Sequence, residues 1–231
     1  MKFTKKALWS ILLIGNMCVG QNLLGTLSTF EESARVFNDL KYNVDGIDGH
    51  QYYLDDWGTG KIIINDSISA PQSRIQFDMV SGEPIIGNSH KEKKGFILRD
   101  KSVTSFVINN RHFVRIPKSS FLENVDRDYF YTPTLTKENY LLIDSRKVLK
   151  EPYVLKNSYN DTNQNKRYVT MTTFYILNKD NKYISVKLKE KDILKALVSK
   201  KSELKKYIKG NKLNLKKEKD VVKLLSYYHS L

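Results

Sequence analysis

The feature that most constrains this chain is a change of hydrophobic period near residue 188. From about His50 to Tyr183, apolar residues come in short runs rich in β-branched and aromatic side chains. After Leu188 they recur at helical spacing. One such switch predicts an antiparallel sheet first and helices second. The expected fold class is α+β: a mainly antiparallel β-sheet, sandwich or partial barrel, followed by a C-terminal three-helix segment packed on it.

Expected strands are Gln51–Leu54, Lys61–Asn65, Arg74–Val80, Gly95–Arg99, Val103–Ile108, His112–Ile116, Tyr129–Thr132, Tyr140–Ile143, Arg167–Leu177 and Tyr183–Leu188. Asp56-Trp57-Gly58-Thr59-Gly60, Ser81-Gly82-Glu83-Pro84 and Asn178-Lys179-Asp180-Asn181 read as turns. Asn109-Asn110 reads as a tight hairpin, because Asn tolerates positive φ. The polar stretch from Asn157 to Lys166 reads as a loop. Before the strands, Ser28-x-x-Glu31 is a capping-box pattern, consistent with a short helix or an ordered lead-in. In the helical part, Ile193, Leu194, Leu197 and Val198 form one stripe. Leu204, Tyr207 and Ile208 form the second, capped by Ser202 and ended by Gly210-Asn211. Val221, Val222, Leu224, Leu225 and Tyr228 form the third, capped by Asn214. Short isolated helices are marginal in water, so these are expected to fold back onto the sheet. Trp57, Phe77, Phe96, Phe106, Phe113 and Phe174 are the expected core aromatics.

The N-terminus predicts export. Lys2, Lys5 and Lys6 precede the apolar run Ala7 to Val19, and Gly20 offers a small residue for cleavage ahead of Gln21. The run is short for a bilayer span, which takes about 20 residues. Cys18 offers lipidation as an alternative, which the neighbouring Met17 disfavours. The expected organisation is 1–20 signal peptide, 21–188 β-rich domain and 189–231 lysine-rich helical segment. Cys18 is the one cysteine of the chain. A mature protein without it has neither disulfide nor thiol nucleophile, and about 210 residues suffice for a core without staples.

Gly49-His50-Gln51-Tyr52-Tyr53-Leu54 with Trp57 and Gly60 resembles the opening of small exported proteins common in Bacteroidetes, and Ile75-Gln76-Phe77-Asp78 resembles their next strand. Leu204 to Ile208, then Asp220 to Leu225 with Tyr227-Tyr228, resembles their closing segment. The resemblance covers most of the chain after residue 20. It implies export and fold, and it supplies no catalytic residue.

Candidate chemistry is sparse. His50, His90, His112 and His229 show no metal-ligand spacing. His50 has Asp48, Asp55 and Asp56 near it in sequence, but turn residues between strands explain it more simply; His112 reads as a strand-face residue. Asp45-Gly46-Ile47-Asp48-Gly49 has the composition of a calcium loop without its regular spacing or closing Glu, so a β-turn is expected. Asp55, Asp56, Glu83, Glu123, Asp126 and Asp128 supply carboxylates that sequence cannot set across a cleft. There is no Gly-x-Ser-x-Gly elbow, and Gly58-Thr59-Gly60 lacks the context of a phosphate loop. No catalytic, cofactor-binding or metal-binding residue is therefore assigned, and no cofactor is expected.

Charge is the remaining signal. The chain carries +14, and Asn181 to Leu231 holds fifteen Lys against five acids, a local net of +10. Lysines lying opposite apolar stripes are the solvated face of amphipathic helices first, and an anionic contact second. Nucleic acid is disfavoured by the absence of Arg after Arg167 and by the expected export. The function expected is an exported cell-envelope or secreted protein acting as a non-enzymatic binding module, periplasmic or extracellular and peripheral to the envelope. Its expected partner is an unknown envelope protein or an anionic surface. The competing class is a secreted hydrolase with an unrecognised carboxylate site.

Overall fold

The computed structural model describes residues 35–37, 40–87, 95–99, 101–134, 139–152 and 165–231. The expected signal peptide with Cys18, the Ser28-x-x-Glu31 cap, His90 and residues 157–164 of the polar loop lie outside them.

Among the described residues, one sheet runs through the whole β region. Its strands are β1 Arg35–Phe37, β2 Ile47–Asp48, β3 Gly58–Ile64, β4 Ser67–Asp78, β5 Glu83–Gly87, β6 Gly95–Ile97, β7 Val103–Ile108, β8 Arg111–Arg115, β9 Tyr129–Thr132, β10 Leu141–Lys150, β11 Lys166–Leu177 and β12 Tyr183–Val186. Their order is β1-β6-β5-β4-β3-β7-β8-β9-β10-β11-β12. These neighbours are antiparallel, and β2 adds to β11 in parallel. The sheet curls without closing, since β1 and β12 do not pair. Across the mouth of the curl, Lys147 N–H on β10 donates to Met79 O just past β4, at 3.2 Å. The helices α1 Glu190–Ala196, α2 Lys201–Gly210 and α3 Glu218–Ser230 follow. The α+β expectation therefore holds, with helices on the sheet.

Turn chemistry explains much of this path. Asn109 and Asn110 have φ of 45° and 66° and join β7 to β8 as expected. Asn65 and Asp66 do the same between β3 and β4, with φ of 46° and 62°. Asn178 accepts the N–H groups of Asp180 and Lys182 through Oδ1, which sets the turn into β12.

Four expectations are corrected. Gln51–Leu54 is not a strand: it follows the end of β4 through one isolated bridge, with Tyr53 N–H donating to Phe77 O and Met79 N–H to Gln51 O. Glu83 and Pro84 belong to β5, because the turn is complete by Gly82, whose N–H donates to Asp78 O. Gly82 has φ +79°, and a Cβ there would collide with the Arg127 guanidinium. Arg35–Phe37, expected as helix or lead-in, pairs with β6. Ser202 does not cap α2, whose N-cap is Lys200 in the left-handed region; nor does Asn214 cap α3, whose N-cap is Lys217. Asn214 instead closes a turn that accepts Lys216 N–H, while the buried Asp220 carboxylate accepts Asn214 N–H.

The core lies on both faces. Leu141, Ile143, Ile176 and Val186 point to the helices, meeting Ile193, Leu194, Leu197, Leu204, Ile208, Val221, Leu224, Leu225 and Tyr228. Leu142, Phe130, Tyr175 and Tyr183 point the other way, under the segment carrying Phe121 and Val125. The inside of the curl holds Phe77, Phe106 and Phe113, with Phe106 and Phe113 stacked at 4.9 Å. Each such ring pair adds about 0.5–1.5 kcal/mol beyond its buried area. Trp57 is only partly buried, beside Leu40, Tyr52 and Ile85, and Phe174 is half-buried against the helices. Phe96 is half-buried because β6 lies close to the sheet margin. Val198 is 78% exposed because α1 ends at Ala196.

The helix stripes are thus core. Leu225 is fully buried, so Leu225→Ala is expected to cost about 2–5 kcal/mol in urea unfolding. Lys219→Ala, at an exposed position, is expected to leave the midpoint unchanged.

Candidate functional site

The three described histidines, His50, His112 and His229, are all held by structure. His50 is pinned by a short polar pair: its Nε2 lies 2.9 Å from Asp55 Oδ1, and its Nδ1 accepts Tyr52 N–H. That leaves Nε2 as the protonated nitrogen. The ring packs edge-on to Tyr42 at 5.0 Å and is less exposed than a turn residue should be. His229 stacks on Tyr140 at 4.3 Å, with Nε2 3.0 Å from Leu177 O. His112 lies on β8 opposite Thr132 and Val107; burial lowers its pKa, and the nearby Lys61 lowers it further.

The carboxylates are dispersed. Glu83 pairs with Arg99 at 2.6 Å, Asp128 with Arg115 at 2.8 Å and Asp126 with Arg146 at 3.1 Å. Glu123 accepts from Ser185 N–H and Oγ–H, and Asp56 accepts Trp57 N–H. Of the expected turn Asp45 to Gly49, Asp45 and Gly46 turn the chain, with Ile47 N–H donating to Val44 O, while Ile47 and Asp48 form β2, where Asp48 accepts from Asn165 Nδ2. Among the described residues, no three His, Cys, Asp or Glu side chains gather as a metal site.

Two arrangements were not foreseen. The first is a notch at the mouth of the curl, about 40 Å³ in volume, lined by Tyr53, Phe77, Arg111, Tyr131, Ile143 and Asp144 among others. The Arg111 guanidinium lies 5.2 Å above Tyr131 and 6.0 Å above Tyr53. Burial pushes both phenols up, and Arg111 opposes the shift. Such a volume holds one or a few waters and is far below the roughly 300 Å³ of a small-molecule site. The second is a buried charge group. Arg127 and Asp144 are 6% and 3% exposed, with Nε and Oδ1 4.0 Å apart. Asp144 also holds Arg146, and Arg127 Nη2 donates to Met79 O at 2.9 Å. Burial pulls the Arg127 pKa down against the pull of Asp144. Arg127 thereby ties the β4–β5 turn to β10. No sequence signal announces it, since Asp126-Arg127-Asp128 reads as an exposed acidic loop.

A further arrangement, which the charge count does foresee, is the lysine face. Fourteen of the fifteen lysines after Asn181 are exposed, and Lys182 is half-buried, donating to Ser119 O. Lys201, Lys205 and Lys209 recur every four residues along α2, so they share one side of it. Among the described residues, the ion pair within the helical segment is Lys200 with Glu203, at 3.5 Å. The face is strongly positive and its apolar stripes are turned inward, the 78%-exposed Val198 excepted, so it offers charge far more than an insertion surface. Among the described residues, no helix is long and apolar enough to cross a membrane. Comparison with family models, curated proteins and solved structures finds no match to this chain.

Two measurements probe these sites. The unfolded His112 imidazole, with its ordinary pKa of 6.5, takes a proton before the folded one does. Stability is therefore expected to fall as the pH drops through about 6.5, and His112→Gln should remove part of that slope in urea unfolding between pH 7.5 and 5. Asp144→Ala strands the buried Arg127 guanidinium, leaves Arg146 to Asp126 alone, and should cost about 3–5 kcal/mol. Arg127→Met leaves Asp144 paired with Arg146 and should cost less.

Proposed function

We propose that this protein is a non-enzymatic binding module, exported to the cell envelope or beyond, whose lysine-rich helical face docks on an anionic surface. The observation that carries the reading is the segregation on the helices. Their apolar stripes, Val198 excepted, are consumed by the sheet and by one another, while fourteen exposed lysines surround them with few acids. A positive face of this kind attracts anionic headgroups or acidic polymers by long-range attraction, at about 1 kcal/mol per lysine near an anionic membrane. Lysine without arginine suits such diffuse attraction better than bidentate recognition of a particular group. The N-terminal Lys-first apolar run and the likeness to small exported Bacteroidetes proteins favour export. A hydrolase has weaker support, because its candidate acids are dispersed and each is engaged by an arginine, a backbone N–H, a hydroxyl or, for the exposed Asp55, His50.

The test is vesicle co-sedimentation. Vesicles with one-third phosphatidylglycerol should bind the protein at low salt, and those of phosphatidylcholine alone should not. Binding should vanish at 0.5 M salt, where screening acts within about 4 Å. Reversing Lys201, Lys205 and Lys209 to Glu should weaken it by about 100-fold or more. Equal binding of the reversed protein would reduce the lysines to a solvating coat.

A further inference from the structure

We propose that the edge of β11 between Tyr168 and Thr173 is a strand-addition site for an extended acidic peptide. The inference rests on the binding-module reading but uses a sheet edge that shares only Lys187 with the lysine face.

Both neighbours on this edge stop short of the middle. β2 pairs with Lys166 and Arg167, and the pairing with β12 begins only at Phe174, opposite Val186. Gly49, at φ +78°, turns the chain out of β2 directly beside Tyr168. At the other end, Lys187 O accepts Lys189 N–H in the turn that leads β12 into α1. The six residues between, Tyr-Val-Thr-Met-Thr-Thr, are held on one side only, by the register Lys147↔Thr170 and Ser145↔Thr172 with β10.

The direction of the open groups follows from strand periodicity. Lys166 N–H donates to Gly46 O, and Asn178 N–H to Lys182 O, both away from β10. Backbone groups alternate sides with period two, so Thr170 and Thr172 present N–H and C=O on that same outer edge. Among the described residues, these groups have no backbone partner. Thr170, Met171 and Thr172 are exposed, Met171 by 51%. An exposed run of β-branched residues with free backbone groups is the template that strand addition uses.

Length and charge select the occupant. Six residues at about 3.3 Å each give roughly 20 Å, room for one short strand. A second copy of the chain does not fit by edge pairing, because its own β2 and β12 would need the space filled by these. Arg167 and Lys187 stand exposed at the two ends of the gap. The nearby acids Asp48 and Glu151 are engaged by Asn165 and Lys166. The ends therefore favour a peptide with acidic termini, and the threonine-rich middle favours β-branched residues opposite it.

The experiment is amide hydrogen exchange by NMR on the full chain, with the acetylated and amidated peptide Glu-Val-Thr-Val-Thr-Glu. In the free protein, Thr170 and Thr172 amides should exchange at least about 100-fold faster than those of Val169 and Met171, which face β10. The peptide should protect Thr170 and Thr172. Flanking lysines in place of the glutamates should weaken binding about tenfold, and alternate N-methylation of the peptide should abolish it. Thr170→Pro removes an outward N–H without touching the β10 ladder, so it should keep the fold and lose the peptide. Should that variant fail to fold, the N-methylated peptide carries the same comparison. Slow exchange of Thr170 and Thr172 in the free protein overturns the proposal, as does a dimer that protects them. Equal affinity for the lysine-flanked peptide overturns the acidic partner. The protein with Lys201, Lys205 and Lys209 reversed should still take the peptide, which separates failure of this site from failure of the lysine face.

Discussion

Burial of β10 on both faces is the constraint on which the rest of the molecule depends. Leu141 and Leu142 are wholly buried on opposite sides, and Ile143 and Asp144 are 4% and 3% exposed. A strand of this kind needs a cover on each side. The C-terminal helices supply one and the segment with Phe121 and Val125 the other. The helices could not stand alone at 7 to 13 residues, so the two parts stabilise each other. Asp144 is the polar exception in this run, and it is tolerated because Arg127 and Arg146 meet it. The same Arg127 reaches Met79 O and sets how far the sheet curls.

Where side-chain pattern decides structure, the sequence is readable. Val103–Ile108 and Tyr129–Thr132 are strands at the expected boundaries, because their apolar residues alternate or cluster between clear turns. The helix stripes are legible for the same reason. Pattern fails where backbone partners decide. Ser67–Asp78 begins in a polar run holding Pro71, and it is strand because Asn65-Asp66 returns it along β3. Tyr52 and Tyr53 look like strand, yet the end of β4 offers them one bridge and two hydrogen bonds. Their burial, not a ladder, fixes them.

The functional surfaces were legible in unequal measure. The lysine excess is a count, and its exposure follows from the stripes opposite. His50 was read as a plain turn residue, but Asp55, Tyr52 and Tyr42 hold it, a contact pattern set by the path of a bent segment. The Arg111 notch needed the register of β8 and β9, which puts Arg111 and Tyr131 on one face of the curl. The Arg127–Asp144 pair spans seventeen positions, and nothing local in either residue's neighbourhood announces the other.

The β11–β12 side of the sheet ends in two different ways, and that difference bears on the proposed binding. At β12, Leu122 N–H donates to Tyr183 O, and the Glu123 carboxylate takes Ser185 N–H. A charged side chain and a crossing segment are how proteins blunt an edge against chance pairing. A few residues away, among the described residues, β11 has neither device over Tyr168–Thr173, although its lysine-rich surroundings limit self-association by repulsion. Long-range charge would then do two things at once: keep like molecules apart and draw acidic chains toward the open backbone. One side of the sheet thus carries a blunted strand beside a bare stretch, and a single proline or inward-facing charge would suffice to blunt the latter.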